Sequence, residues 1–398
     1  MEFTHRPEIE DLAARVRAFV DEVVIPAEAR DHGEHGPDPE LRAELQEAAR
    51  SAGLFAPHVG DELGGLGLDM REQSVVFEEA GTSLLGPLAL NCAAPDEGNM
   101  AMLEKIASPA QKERYLAPLA AGDTRSCFAM TEPAPGAGSD PSMLRTTARE
   151  ADGGWVIDGD KWFITGAEGA GFAIVMARTG ESISRGRGAT MFLVDADNPG
   201  WRVGRLVDCI DRVAPGGHAE VELKDCFVPS EAILGEQGLG YQYAQVRLAP
   251  ARLTHCMRWL GIARRAHEIA IDRAIEREGF GSRLADLGMI QQMIADSAID
   301  LHSSRTMIWH TAWLLDSGAE AQKASSMTKV HVAEAVDRVV DRAMQICGSL
   351  GTSGDTPIAR FYGEIRAFRI YDGASEAHRW SIARREVRAR ASAAGARP

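Results

Sequence analysis

Apolar residues recur every three or four positions at the start of the chain. Ile9, Leu12, Val16, Phe19 and Val23 form one stripe, which predicts an amphipathic helix that stops before Pro26. PELRAELQEAARSAG and PAQKERYLAPLAAG carry the same period, and each ends near a glycine, a common C-terminal signal. GDELGGLGLD between them reads as a glycine-rich loop. The texture changes near Ser126. From there to about Gly235 the chain reads as short strands rich in β-branched and aromatic residues: FAIVMART, TMFLVDA and HAEVELKDCFVP. GGWVIDGDKWFIT reads as a hairpin with Gly159-Asp160 as its two-residue turn. No helix is interposed, so the strands predict a small barrel or sandwich rather than a parallel sheet. After GEQGLGYQ the helical period returns. Leu287, Ile290, Ile294, Ala298 and Leu301 make one stripe; Val332, Val336, Val339, Ala343 and Ile346 make another, and together they read as a bundle. The expected class is α+β, with an N-terminal helical domain over 1–125, a central β domain over 126–235 and a C-terminal helical domain over 236–398. Only the tail ARASAAGARP reads as disordered.

Composition narrows the function. At roughly 100–200 residues per domain, 398 residues suit two or three domains. Basic residues number 43 and acidic residues 58, a net charge of −15. That disfavours nucleic acid and anionic membranes as partners, because both are bound by Lys and Arg neutralising phosphates. Cys92, Cys127, Cys209, Cys226, Cys256 and Cys347 include no C-x-x-C pair and sit mostly in apolar segments, which predicts buried reduced thiols. MEFTHRPEIEDL has no apolar core of a signal peptide, and no window nears 18 uninterrupted apolar residues. A cytoplasmic location is expected.

Several motifs are absent. GEQGLGYQY has Tyr243 where a dinucleotide fingerprint needs its third glycine. There is no P-loop, and the histidine at His267 lacks the second histidine of a zincin. His32 and His35 lie in an acidic loop and read as solvated, so no metal is expected. Two stretches stay open on their residues alone. CFAMTEPAPGAGSD offers hydroxyls at Thr131 and Ser139 and exposed backbone at Gly136 and Gly138, suiting either a ligand or a plain surface loop. IRAFRIYDGASEAHRW sets Asp372 at an expected helix end, where it could be a turn residue or a base.

Five motifs in one order resemble the acyl-CoA dehydrogenase flavoprotein family: CFAMTEP…GAGSD, KWFITG, R-x-x-F-G at Arg277–Gly281, QICGSLG at Gln345–Gly351, and YDG at Tyr371–Gly373. The resemblance covers nearly the whole chain. NCAAPDEGNM and RLAPARLTHCMRWLGIARRA resemble the branch whose larger members carry an additional kinase-like domain and act on long or 4-hydroxylated acyl-CoAs. The resemblance implies helices, then a β domain, then a C-terminal four-helix bundle, with FAD bound non-covalently. Phe128, Met130 and Thr131 would lie along the flavin, with Thr131 at its pyrimidine edge. Ser139 would sit near both cofactor and acyl-CoA. Phe163 would pack on the ring where the family often has tryptophan, and Thr165 would bond near flavin N5. Arg277 would meet the FAD pyrophosphate of a neighbouring subunit, beside Phe280. Gln345, Gly348 and Ser349 would contact the adenine half. Ala374 and Glu376 would fall near a neighbour's FAD.

Such sharing implies a homodimer or homotetramer. Arg252 and Gly373 would line the acyl-CoA cavity. Asp372 would take the α-proton as hydride leaves the β-carbon for flavin N5, and electrons would pass to an electron-transfer flavoprotein.

The chain departs from the family pattern in three places. Asp372 is one methylene shorter than the usual Glu, Ala134 and Pro135 are extra relative to TEPGAGSD, and Phe163 replaces Trp. Three other readings exist on the same scaffold: an oxidase of the nitroalkane oxidase kind, which also uses an aspartate base; a non-catalytic nucleic-acid-binding relative; and an enzyme acting on a carrier-protein thioester.

Overall fold

A computed structural model describes residues 4–30, 35–180 and 187–393. His32 and residues 394–398 of the tail lie outside them. Two compact units emerge. One gathers the chain up to Ile25, Asp69–Gly86 and the chain from Arg252; the other gathers Pro26–Leu68 and Pro87–Ala251.

The second unit holds the strands β1 (Ser126–Ala129), β2 (Thr147–Ala151), β3 (Gly154–Thr165), β4 (Phe172–Arg178), β5 (Ala189–Asp195), β6 (Trp201–Val207), β7 (His218–Pro229) and β8 (Ile233–Leu234). They form one sheet in the order β6-β7-β3-β2-β4-β5-β8, with β1 parallel on β4. β4 and β5 are near-continuous apolar runs because both of their faces are buried. Trp155, Ile157, Val175, Phe192 and Leu223 belong to the core of the sheet.

The expected hairpin at Gly159-Asp160 is not there. β3 runs unbroken through it, and Gly159 sits at φ 152° beside an irregularity in the β3–β7 register. A β-carbon on Gly159 would lie 2.5 Å from Thr146 Oγ1, so glycine here serves close packing, not a turn. The true two-residue turn is Asp152-Gly153, closing β2 onto β3 with Ala151 opposite Gly154.

The first unit is helical. Pro7–Phe19 does not stop before Pro26: it passes through a π turn at Val20–Val24 and continues over Ile25–Ala27. The π turn carries the N–H of Ile25 back to Val20 O, so the ladder is already displaced where proline lacks a donor. A capping box at Asp69 and Glu72 starts Met70–Ala80. This helix meets Gly240–Glu276 backbone to backbone: a β-carbon on Gly261 would lie 2.2 Å from Glu78 O, and one on Gly81 2.2 Å from Arg258 O. Arg264 then pairs with Glu79 at 2.5 Å and Arg305 with Glu78 at 2.6 Å.

The helices Gly288–Asp316, Gln322–Cys347, Ile358–Phe368 and Ser375–Ala393 complete this unit. All five residues of the Val332–Ile346 stripe are buried. Of the Leu287–Leu301 stripe only Leu301 is; the buried face of that helix continues instead through Ser304, Ile308 and Thr311. The tail is not disordered from residue 389, since the last helix runs to Ala393. All six cysteines are free, and all but half-buried Cys209 are buried. Among the described residues no helix is long and apolar enough to cross a membrane.

Candidate active site

Asp372 follows the end of the Ile358–Phe368 helix, with the N–H of Tyr371 still bonded to Ala367 O. It adopts φ 52° and Gly373 φ 96°. A short polar side chain tolerates the left-handed region that ends a helix, and glycine does so freely. A β-carbon on Gly373 would stand 2.6 Å from His378 Nε2, so no other residue fits there without displacing that ring.

Three basic side chains hold this exit by its carbonyls. Arg252 Nε donates to Asp372 O at 2.9 Å, His378 Nε2 meets the same oxygen at 3.2 Å, and Lys329 Nζ donates to Gly373 O at 2.8 Å. The carboxylate has its own neighbour, with His255 Nε2 3.4 Å from Asp372 Oδ2. His255 in turn packs on Tyr371 and Phe368, at ring distances of 5.0 and 5.8 Å, and Trp259 Nε1 donates to the Tyr371 hydroxyl at 2.6 Å.

Electrostatics follow from burial. Desolvation, with Arg252 nearby, pushes the His378 pKa down to about 4, so the ring is neutral at pH 7 and its Nε2–H donates to the carbonyl. Desolvation likewise lowers Lys329 to about 8. Arg252 and Gly373 are thus brought to Asp372. Ala374 is half-buried and Glu376 exposed, in the first turns beyond it.

The sheet unit gathers a second group. The N–H of Trp162 donates to Thr131 O at 2.9 Å, tying the strand KWFIT to the TEP turn. Beneath that bond lies a buried ion pair: Lys161 Nζ is 3.0 Å from Glu132 Oε1 and also reaches Met130 O and Met176 O. Glu132 further accepts from the N–H groups of Arg145, Thr146 and Ala137. Burial alone would raise its pKa; Lys161 and these donors reverse that and hold it low. Burial lowers Lys161 to about 8.

This clamp sets Met130, Thr131, Phe163 and Thr165 in one neighbourhood. Phe163 is 44% exposed, at φ 53°, with its ring 4.7 Å from that of Trp162. Trp162 Nε1 is buried without a hydrogen-bond partner among the described residues. Buried Arg247 lies 4.4 Å over the Phe128 ring and is held by Asn99. Ser139 is exposed, in the turn that contains Ala134 and Pro135.

A third set stays apart from Asp372 in sequence and is exposed. Glu278–Gly279 and Ser282–Arg283 form a small hairpin whose turn is Phe280-Gly281, both at positive φ. Phe280 is 96% exposed and Arg277 is exposed. Gln345, Gly348 and Ser349 are exposed around the C-terminal end of Gln322–Cys347.

Motif reading missed Glu132, Lys161, His255, Lys329 and His378. Two left a signal: Lys161 is a cation inside an apolar strand, and Lys329 falls one step before Val332 on a core stripe. Either one implies a buried partner.

Comparison with known proteins covers nearly the whole chain. Family profiles described as the N-terminal, middle and C-terminal domains of acyl-CoA dehydrogenase match residues 6–123, 127–226 and 238–387. "Probable acyl-CoA dehydrogenase FadE2" of Mycobacterium tuberculosis is 37% identical over 97% of this chain and 97% of that protein. "Acyl-CoA dehydrogenase family member 11" of Gallus gallus is 37% identical over 95% of this chain, which spans 50% of that longer protein. Among solved structures, butyryl-CoA dehydrogenase from Megasphaera elsdenii superposes with a TM-score of 0.87 at 27% identity, over 98% of this chain and all of that one.

Proposed function

The chain belongs to the acyl-CoA dehydrogenase family, FAD-dependent oxidoreductases acting on CH–CH bonds, and from that premise we propose that Asp372 is the base that removes the α-proton of an acyl-CoA thioester. The observation that carries this reading is the held helix exit. Arg252, His378 and Lys329 fasten two successive carbonyls, so the carboxylate is presented by backbone that cannot drift. The proton goes to the Asp372 carboxylate, whose Oδ2 lies 3.4 Å from His255 Nε2. Exclusion of water by the thioester's acyl chain strengthens the base.

The residues of the sheet unit suit a planar cofactor with a hydrogen-bonding rim. Phe163 offers an exposed ring, Trp162 Nε1 a buried donor with no partner, and Thr131 and Thr165 hydroxyls. Phe128, Met130 and Thr131 would line the flavin, Thr165 would meet N5, and Ser139 would reach cofactor and substrate. When bound, FAD would supply the two-electron acceptor, with an electron-transfer flavoprotein as its proposed reoxidant. Exposed Arg277, Phe280, Gln345, Gly348 and Ser349 would bind the FAD of a second copy, with Ala374 and Glu376 near it, in a homodimer or homotetramer. Arg252 and Gly373 would also border the acyl-CoA.

The domain limits at 125/126 and 235/236 find support in the strand-bearing span and in the profile ends. The branch acting on long or 4-hydroxylated acyl-CoAs is part of the same proposal and rests on the NCAAPDEGNM and RLAPARLTHCMRWLGIARRA resemblance; identity is 37% both to FadE2, of similar length, and to the larger family member 11 protein. A cytoplasmic site of action belongs to the same reading.

A panel of acyl-CoAs, short to long, assayed with an artificial electron acceptor tests the proposal. Turnover with a preference for the longer chains is expected; no turnover by FAD-loaded protein with any thioester would overturn it.

A further inference from the structure

Behind Thr165 runs a hydrogen-bonded chain that no motif announces. Thr165 and His218 are directly paired residues of antiparallel β3 and β7, so their side chains share a face. Thr165 Oγ1 lies 2.9 Å from His218 Nδ1, and His218 Nε2 lies 3.1 Å from Asp211 Oδ2. Asp211 belongs to the connection between β6 and β7. That connection is closed by the Gly217 N–H on Ala214 O and anchored to β3 by the Gly166 N–H on Gly217 O, each at 2.9 Å. Both side chains of the pair are largely buried, at 14% and 19% exposure.

With the His218 ring neutral, the donors and acceptors along this chain have one consistent assignment; a doubly protonated ring would instead donate from Nδ1 to Thr165. A carboxylate only accepts, so the Nε2 facing Asp211 carries the hydrogen. A neutral imidazole has one N–H, so Nδ1 accepts, and the Thr165 O–H must donate to it. Thr165 Oγ1 is then left with lone pairs alone for any further neighbour. The Cys209 thiol, its sulfur within 4.8 Å of an Asp211 carboxylate oxygen and a His218 ring nitrogen, offers only a weak donor and does not reverse this order.

We propose that Asp211 and His218 are positioning residues that turn the Thr165 hydroxyl into an obligate hydrogen-bond acceptor towards flavin N5. The inference rests on the reading that Thr165 meets N5. Oxidised flavin presents a lone pair at N5 and reduced flavin an N–H. An acceptor-only neighbour favours the reduced form and raises the potential of the bound cofactor.

The test is spectroelectrochemistry of the holoprotein, joined to nitrogen NMR of protein labelled in its histidine rings. The His218 resonances, identified by their loss in His218→Phe, should show Nδ1 unprotonated and Nε2 protonated. Asp211→Ala and His218→Phe should each lower the flavin midpoint potential, by about a tenfold change in the ratio of reduced to oxidised cofactor, or ~30 mV for a two-electron couple. Thr165→Val separates the two levels. If it shifts the potential while the other two variants do not, the relay is wrong and the placement of Thr165 stands. If none of the three shifts it in FAD-loaded protein, the placement of Thr165 fails as well. An Nδ1-protonated ring in the wild type overturns the proposal without any variant.

Discussion

At the scale of the residue, the base segment shows a charge pattern that a motif cannot describe. YDG locates Asp372 but is silent about what holds it, because Arg252, Lys329 and His378 come from three different helices. Their roles depend on burial, which is set by packing rather than spacing. His378 gives a direct check. Its pKa is about 4 when folded against 6.5 when unfolded. Between those values the unfolded chain binds more protons, so this group's contribution to stability is full above pH 6.5 and is lost as pH falls towards 4. The loss is about 3 kcal/mol. His378→Gln keeps an amide donor for Asp372 O but does not titrate. In urea unfolding at pH 7 and pH 4, the wild type should lose about that much more than the variant. Parallel losses would contradict the buried neutral ring.

At the scale of the element, composition is a good guide to the strands and the apolar period to one of the two C-terminal stripes, and both are poor guides wherever backbones touch. The Val332–Ile346 stripe is buried throughout. Gly159-Asp160 misled because a glycine needed for close approach to Thr146 has the same sequence appearance as a turn glycine. Pro26 misled because a π turn one step earlier accommodates it. Gly261 is a further case, since only the structure shows it against Glu78 O. Gly261→Ala should destabilise the protein by ~1–3 kcal/mol, as overpacking does. Gly288→Ala, at a helix start with open space around it, should be neutral or slightly stabilising. Chemical denaturation of the pair measures both, and equal effects would refute the close crossing.

At the scale of the whole molecule, exposed apolar groups bear on assembly. Phe280 is 96% exposed at a positive φ that a bulky residue adopts at a cost, and Met289 and Ile299 are exposed on the helix that follows. A second copy bound there, as proposed, would account for both that cost and the failure of the Leu287–Leu301 stripe to be buried. Phe280→Asn suits the turn geometry and removes the ring. Sedimentation should show an oligomer for the wild type, and a dissociation constant raised about tenfold or more for the variant, with weaker FAD retention. A monomeric wild type that retains FAD fully would contradict the shared site.

The central claim concerns Asp372, and anaerobic titration of the FAD-loaded protein with acyl-CoA tests it most directly. Wild type should bleach the oxidised flavin band. Asp372→Asn should bind the same FAD yet bleach ~10²–10⁴-fold more slowly, the usual contribution of a positioned general base. Equal bleaching rates in the two proteins would show that the proton leaves by another route.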